Sequence, residues 1–288
     1  MDVIVWAQQF STPFVDTLAQ AVTILGEDMV AILLVVIFMW CVDRRYGARF
    51  GAILLFSGLV NGVLKNMFRV SRPWERNYPG YEEPLRVHTA TGYSMPSGHT
   101  QTATTTAAVL SLRVKRNWMR IALFVLAALV GVSRILCRVH TWQDVVVGFG
   151  LGIAITFLFY PVSGWMFDER KPMRPLYLAP LAILAMAASP SENVWKVAGM
   201  LLTAGIGLAF AQKYIRFQVR DKLQRQIIKL ALGAGVLLLI QYGVKPLLGT
   251  GIWGYFGRYA LMGAWITAGA PWAFSRIYPQ REQDDDAA

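Results

Sequence analysis

Ser133-Arg-Ile-Leu-Cys-Arg-Val-His-Thr-Trp-Gln-Asp144 lies between two long apolar stretches, roughly 118–136 and 142–159. Each stretch has about the length that a helix needs to cross a bilayer. The short polar link therefore joins two membrane helices and sets an arginine, a histidine and an aspartate at one membrane face. Ionisable residues in that position are costly and mark functional sites. Histidine can act as nucleophile or proton carrier near neutral pH, and a carboxylate can fix its tautomer. The same letters also fit a simpler job, because Thr141-x-x-Asp144 has the spacing of a capping box opening a helix.

Composition agrees with a membrane protein. Of 288 residues, 55% are hydrophobic and 16% charged, with mean hydropathy +0.42. So large an apolar share points to a polytopic all-α membrane bundle, not a soluble globule. In such a chain the net charge of +11 reflects cytoplasmic loop bias, and no nucleic-acid partner is implied. No charged start, apolar run and small-residue cleavage site occur together at the N-terminus, so no cleaved signal peptide is expected. Cys41 and Cys137 are expected at opposite ends of different spans, too far apart for a disulfide. Neither has metal-ligand spacing.

Nine spans are expected in chain order. Residues 2–25, polar in part and broken by Pro13, suggest an interfacial helix or helix pair. Spans follow at about 28–41, 46–68, 98–112, 118–136 and 142–159, the last with an outer limit at 165. A polar, aromatic loop over 74–95 carries Trp74, Tyr78, Tyr81, His88 and Tyr93. Four weaker segments lie near 175–188, 194–212, 227–247 and 255–274, and the charged tail from Arg281 is expected to be disordered. This divides the chain into an N-terminal part (1–43), a core (44–166) and additional membrane helices (167–288). With the N-terminus outside, the inner loops collect eighteen of the 28 Lys and Arg residues, Arg281 included. That bias puts the polar link on the extracytoplasmic face of the cell membrane.

Two further stretches fall on that face. Asn61, Lys65, Arg69 and Arg72 recur at helical spacing before Pro73, which predicts a cationic stripe at the end of the second span. One lysine there would be an ordinary snorkelling anchor. Several cations on one stripe call for an anion between them. Pro96-Ser97-Gly98-His99 opens the next helix, where free backbone N–H groups suit a phosphate or carboxylate. As four letters it is also ordinary capping chemistry. Glu27 and Asp28 are expected to cap the first span. Gly58-x3-Gly62 and Gly148-x3-Gly152 are expected to be helix-packing contacts, as are Thr100 to Thr106.

Cations, two histidines, one aspartate and a helix N-terminus suit phosphoryl transfer. No carboxylate or His/Cys cluster has metal spacing, so no metal or other cofactor is expected. The three stretches, Lys-x6-Arg-Pro (65–73), Pro-Ser-Gly-His (96–99) and Ser-Arg-x5-His-x3-Asp (133–144), together resemble the signature of the type 2 phosphatidic acid phosphatase family. Its superfamily also holds glucose-6-phosphatases and vanadium haloperoxidases. The motifs match without a substitution and in the family's order. The hydropathy resembles the family's helical core over roughly 44–166.

The resemblance implies that His140 is a nucleophile forming a phosphohistidine and that Asp144 orients it. It implies that His99 is the general acid, and that Lys65, Arg72, Ser97, Gly98 and Arg134 bind the phosphate. The expected activity is metal-free hydrolysis of a membrane lipid phosphate or diphosphate, of the phosphatidate, phosphatidylglycerol phosphate or undecaprenyl diphosphate type. Alternatives are a lipid phosphotransferase, a sugar-phosphate phosphatase, a haloperoxidase, or a non-catalytic lipid-binding or transport protein. The sequence assigns neither an oligomeric state nor a role for 167–288.

Overall fold

The computed structural model describes residues 3–76 and 79–278. Tyr78 and the tail from Arg281 lie outside the described residues. The chain is helical and forms two compact units. One comprises 1–34, 50–163 and 185–194; the other comprises 35–49, 164–184 and 195–288.

The helices are α1 (Val3–Ala7), α2 (Pro13–Thr23), α3 (Asp28–Ile37), α4 (Arg44–Phe68), α5 (Gly98–Ser111), α6 (Asn117–Leu136), α7 (Trp142–Met166), α8 (Leu178–Ala188), α9 (Glu192–Tyr214), α10 (Leu223–Leu238), α11 (Lys245–Leu248), α12 (Ile252–Ala264) and α13 (Ala270–Ile277). Every expected segment is a helix, but the count of nine spans is not reached. Among the described residues, five helical stretches are long and apolar enough to cross a membrane, those beginning at Arg44, Asn117, Trp142, Glu192 and Leu223. A sixth arises if Pro13–Gly26 and Asp28–Val42, which meet at a 47° bend, form one broken span.

The shortfall has physical causes. α5 has 14 residues, about 21 Å of helix against the roughly 30 Å of a hydrocarbon core. α8 has 11 residues, lengthened only by a 3₁₀ turn at Arg174–Tyr177. The ninth segment, α12 to α13 through a π turn at Trp265–Gly269, is diluted by glycine, tryptophan and tyrosine and carries Arg258 and Arg276, so it is not apolar enough. The stretch expected to hold an interfacial helix pair contains the two helices α1 and α2. Pro13 begins α2, where its missing N–H costs nothing, and the Thr12 hydroxyl accepts from Val15 N.

In the first unit α5 is the axis. Ser57 and Asn61 of α4 meet Thr105 and Gln101 of α5, so these two helices run antiparallel. Ala103 and Ala107 pack with Ala127 and Val130, and Thr100 lies beside Gly131, so α6 is also antiparallel to α5. Gly148 and Gly152 of α7 face Ser97 and Thr104, so α7 runs parallel to it. A Cβ on Gly148 would come within 2.7 Å of the Ser97 carbonyl, and one on Gly152 within 2.8 Å of Thr104. These glycines, with the buried Thr100, Thr104 and Thr105, are the expected packing contacts. The α4 end, the α5 start and the α6–α7 link consequently meet at one end of this bundle.

In the second unit α9 lies along α12, with Gly199 against Phe256 and Gly207 against Thr267. Trp40 donates to the Ile266 carbonyl, and its ring fills the space left by Gly233 of α10. Cys41 and Cys137 are free.

Candidate active site

α4 brings Lys65 to the site, but the stripe expected there is only half formed. The helix stops at Phe68, and Arg69 adopts the left-handed conformation (φ 48°) with an exposed side chain. Arg69 is therefore a helix terminator, not part of a cationic row. Arg72 lies beyond it on extended backbone (φ −70°, ψ 154°). The chain turns Arg72 back by another route. Its Nε donates to Gly92 O (2.9 Å), its Nη2 to Thr91 O (2.7 Å) and its Nη1 to Val139 O (3.1 Å). Lys65 Nζ donates to the same Thr91 carbonyl at 3.2 Å and to Tyr93 O at 2.7 Å. Lys65 and Arg72 thus converge although they do not share a helical face. Trp74 lies under the Arg72 guanidinium, 5.6 Å from it.

The α6–α7 link carries the histidine. His140 and Asp144 are four residues apart and both buried, with His140 Nδ1 3.4 Å from Asp144 Oδ2. Arg72 Nη1 lies 2.9 Å from Nε2 and 3.5 Å from Nδ1, so the guanidinium touches the flank of the ring that joins the two nitrogens. A guanidinium can only donate, so a neutral ring presents its lone pair at Nε2 and its proton at Nδ1, toward Asp144. Burial pushes the His140 imidazole well below the ordinary histidine value. Asp144 opposes that shift, while the charges of Arg72, Lys65 and Arg134 add to it.

Asp144 Oδ2 also accepts from Thr141 N (2.8 Å) and from the buried Ser94 hydroxyl (2.5 Å). The capping job and the histidine contact fall on one oxygen. The other, Oδ1, is buried without a partner.

Ser97, Gly98 and His99 open α5. Ser97 N donates to Asp144 O (3.0 Å), and Ser97 Oγ accepts from Thr100 Oγ1 (2.9 Å), which fixes the helix start beside the link. Gly98 begins the helix next to Asn61. His99 Nε2 is buried with no hydrogen-bond partner. Arg134, fully buried on the last turn of α6, donates through Nη1 to Thr23 Oγ1 (2.9 Å) and Thr89 Oγ1 (3.4 Å). Its Nε and Nη2 have no partner.

All eight residues singled out by sequence therefore belong to one cluster. Lys65 feels the charges of Arg72, Asp144 and Arg134, and His99 those of Arg134 and His140. Three buried cations face one buried carboxylate, and two guanidinium nitrogens point at nothing. Such an excess calls for an anion with several oxygens.

Several supporting residues escaped sequence reading. Ser94 holds Asp144, and the Thr91, Gly92 and Tyr93 carbonyls hold the two cations. Backbone carbonyls carry no signature, and Ser94 has only its nearness to the Pro-Ser-Gly-His string. Glu27 was expected to cap the first span; its carboxylate instead pairs with Arg86 at 2.5 Å. His88 is an exposed residue of a 3₁₀ turn.

Residues 46–168 match the model of the PAP2 superfamily, and residues 195–282 match that of the PAP2 superfamily phosphatase, transmembrane extension. Among characterised proteins, the chain is similar to sphingosine-1-phosphate phosphatase 1 of Mus musculus, 26% identical over 199 residues. That match covers 65% of this chain but 45% of the mouse protein, so the chain spans less than half of that relative's length. It is 31% identical over 171 residues to phosphatidylglycerophosphatase B of Bacillus subtilis, covering 55% of this chain and 77% of that one. Two crystal structures are also similar. The transmembrane PAP2 type phosphatidylglycerolphosphate phosphatase of Bacillus subtilis is 26% identical, with TM-score 0.46 over 57% of this chain and 84% of that one. Aquifex aeolicus LpxE is 24% identical, with TM-score 0.47 over 55% and 93%. With both family models matched, and 31% identity over 77% of the Bacillus subtilis phosphatase, the chain belongs to the PAP2 superfamily.

Proposed function

We propose that this protein is a membrane phosphatase that removes phosphate from a lipid phosphate monoester or diphosphate through a phosphohistidine at His140. One observation carries the reading: the buried His140 ring has a carboxylate, Asp144, at Nδ1 and a phosphate-type cation, Arg72, 2.9 Å from Nε2. In the proposed reaction the Arg72 guanidinium moves from Nε2 onto the entering phosphoryl oxygens, together with Lys65, Arg134, the Ser97 hydroxyl and the Gly98 N–H. Nε2 attacks phosphorus in line, the ester oxygen leaves, and His99 gives it a proton. Asp144 stabilises the positive imidazole that results. Water then attacks the phosphohistidine, His99 takes up the water proton, and inorganic phosphate departs.

A lipid substrate is supported by the membrane-spanning core and by the names of the relatives, which carry sphingosine 1-phosphate and phosphatidylglycerophosphate. The Lys/Arg distribution supports an extracytoplasmic site in the cell membrane. Core and extension are proposed as 44–166 and 167–288, preceded by 1–43.

The test is phosphate release in detergent micelles over a panel of lipid mono- and diphosphates plus glucose 6-phosphate, with and without chelator. Hydrolysis of one lipid class that chelator does not abolish is expected. Faster turnover of glucose 6-phosphate than of every lipid would overturn the lipid assignment. Appearance of the label on a lipid acceptor instead of water would make the enzyme a phosphotransferase.

A further inference from the structure

The second unit buries two cations in its helices and treats them differently. Lys229 of α10 is 1% exposed, and its Nζ donates to three carbonyls, Trp40 O (3.2 Å), Gln218 O (2.9 Å) and Val219 O (2.9 Å). An ammonium has three protons, so Lys229 is fully satisfied. Arg258 of α12 is 3% exposed, and its hydrogen bonds are long ones to carbonyls, Nε to Gly254 O and Nη1 to Gln241 O, both 3.4 Å. No carboxylate pairs with it among the described residues, and its Nη2 edge takes part in neither bond. An arginine stays charged at any physiological pH. A guanidinium buried among helices and held by two long bonds can still take an anion.

The surroundings add charge of the same sign. The Tyr255 ring has Arg258 5.0 Å from its centre and Lys196 of α9 4.2 Å from it. Two positive charges thus share one ring and lie no more than about 9 Å apart. The acceptor of the Nη1 bond, Gln241, belongs to a π turn at Leu239–Gly243, and its own Oε1 is buried without a partner. Apolar side chains are exposed on the same elements: Trp253 of α12, in ring contact with Trp195 (4.7 Å), is 74% exposed, and Leu247 of α11, which packs on α12, is 82% exposed. An interfacial tryptophan beside exposed leucine suits acyl chains, not water.

We propose that Arg258, with Lys196 and Tyr255, forms a headgroup site for an anionic phospholipid in the C-terminal extension. The lipid phosphate takes the Nη2 edge of Arg258 in a charge-assisted hydrogen bond, Lys196 supplies the second cation, and the chains lie over Trp253 and Leu247. The site gives the extension a role of its own and does not depend on the chemistry assigned to His140.

The experiment is thermal unfolding of the full-length purified protein in neutral detergent, titrated with phosphatidylglycerol, phosphatidylcholine or inorganic phosphate. Phosphatidylglycerol is a phosphodiester, so hydrolysis of a monoester does not consume it. The wild type should gain a saturable rise in Tm with phosphatidylglycerol that phosphatidylcholine does not give. Arg258→Gln should weaken the apparent affinity roughly tenfold or more, as loss of a charged hydrogen bond does, while Arg258→Lys retains most of it. If Arg258→Gln does not fold, Lys196→Gln, at a partly exposed position, should still weaken affinity by a few-fold. An unchanged titration in the folded Arg258→Gln variant, or in Lys196→Gln where that is the variant measured, overturns the site. No lipid-dependent rise in the wild type does the same. An equal rise with inorganic phosphate at matched concentration overturns the assignment to a lipid.

Discussion

Arg72 Nη1 stands 2.9 Å from His140 Nε2 and 3.5 Å from Nδ1, the nitrogen that faces Asp144. The nitrogen assigned to the attack is thus in contact with the group assigned to the phosphate. Arg72 is itself held by the carbonyls of Thr91, Gly92 and Val139, a planar fork that a lysine cannot reproduce.

Arg72→Lys and Arg72→Ala are therefore both expected to lower kcat/KM by about 10²- to 10³-fold, as removal of a positioned transition-state donor does. Steady-state assays of the two variants check this. A lysine variant close to wild type would mean that charge alone matters.

Asp144→Asn keeps the size of the side chain but loses the acceptor that holds the Nδ1 proton. It also weakens the bonds from Ser94 Oγ and Thr141 N. A fall in kcat of about 10³- to 10⁴-fold, with a smaller change in KM, is expected when the wrong tautomer is held. Ser94→Ala removes one of these bonds and should cost about tenfold. Parallel kcat and KM measurements on the two variants decide it.

The pH dependence follows from burial of His140. A depressed pKa means that the neutral, nucleophilic ring persists to lower pH than in a free histidine. The sign is thus fixed: activity that needs neutral His140 is retained as pH falls through about 6.5 and is lost only below that. With His99 as the acid, kcat/KM against pH should be bell-shaped with its acid limb below about 6.5. Burial beside Arg134 and His140 lowers His99 as well, so the alkaline limb moves down too and the optimum should lie on the acid side of neutrality. An acid limb above that value would contradict the buried nucleophile.

Gly148 lets α7 approach the Ser97 carbonyl, where an added Cβ would stand 2.7 Å away. Gly148→Ala must push the Pro-Ser-Gly-His turn away from the α6–α7 link. Displacements of about 1 Å at reacting groups cost on the order of 10²-fold. A loss of that order in kcat is expected, whereas Gly150→Ala, whose added Cβ meets nothing within 4 Å, should be close to neutral. Comparison of the two glycine variants separates packing from a general effect on α7.

Much of this site was legible because its side chains are unusual for a membrane. Lys65, Arg72, His99, Arg134, His140 and Asp144 stand out against apolar neighbours, and their cost in lipid demands a reason. What sequence could not give was how they meet. Helical spacing put Arg69 and Arg72 on one stripe, yet Arg69 ends α4 in a left-handed turn and Arg72 returns through the loop. The loop's holding atoms are carbonyls, which every residue has. Span counting failed for a related reason. Apolar composition marks a helix as buried, and α5 is buried by α4, α6 and α7 with too few residues to cross alone.

The central claim, a covalent phosphohistidine at His140, is tested most directly by acid-free quenching of a reaction with a ³²P-labelled lipid phosphate, followed by mapping of the label. Acid-labile, alkali-stable label on the peptide containing His140, absent from His140→Ala together with turnover, is the expected result. Turnover that survives in His140→Ala, or label mapping to another residue, would contradict it.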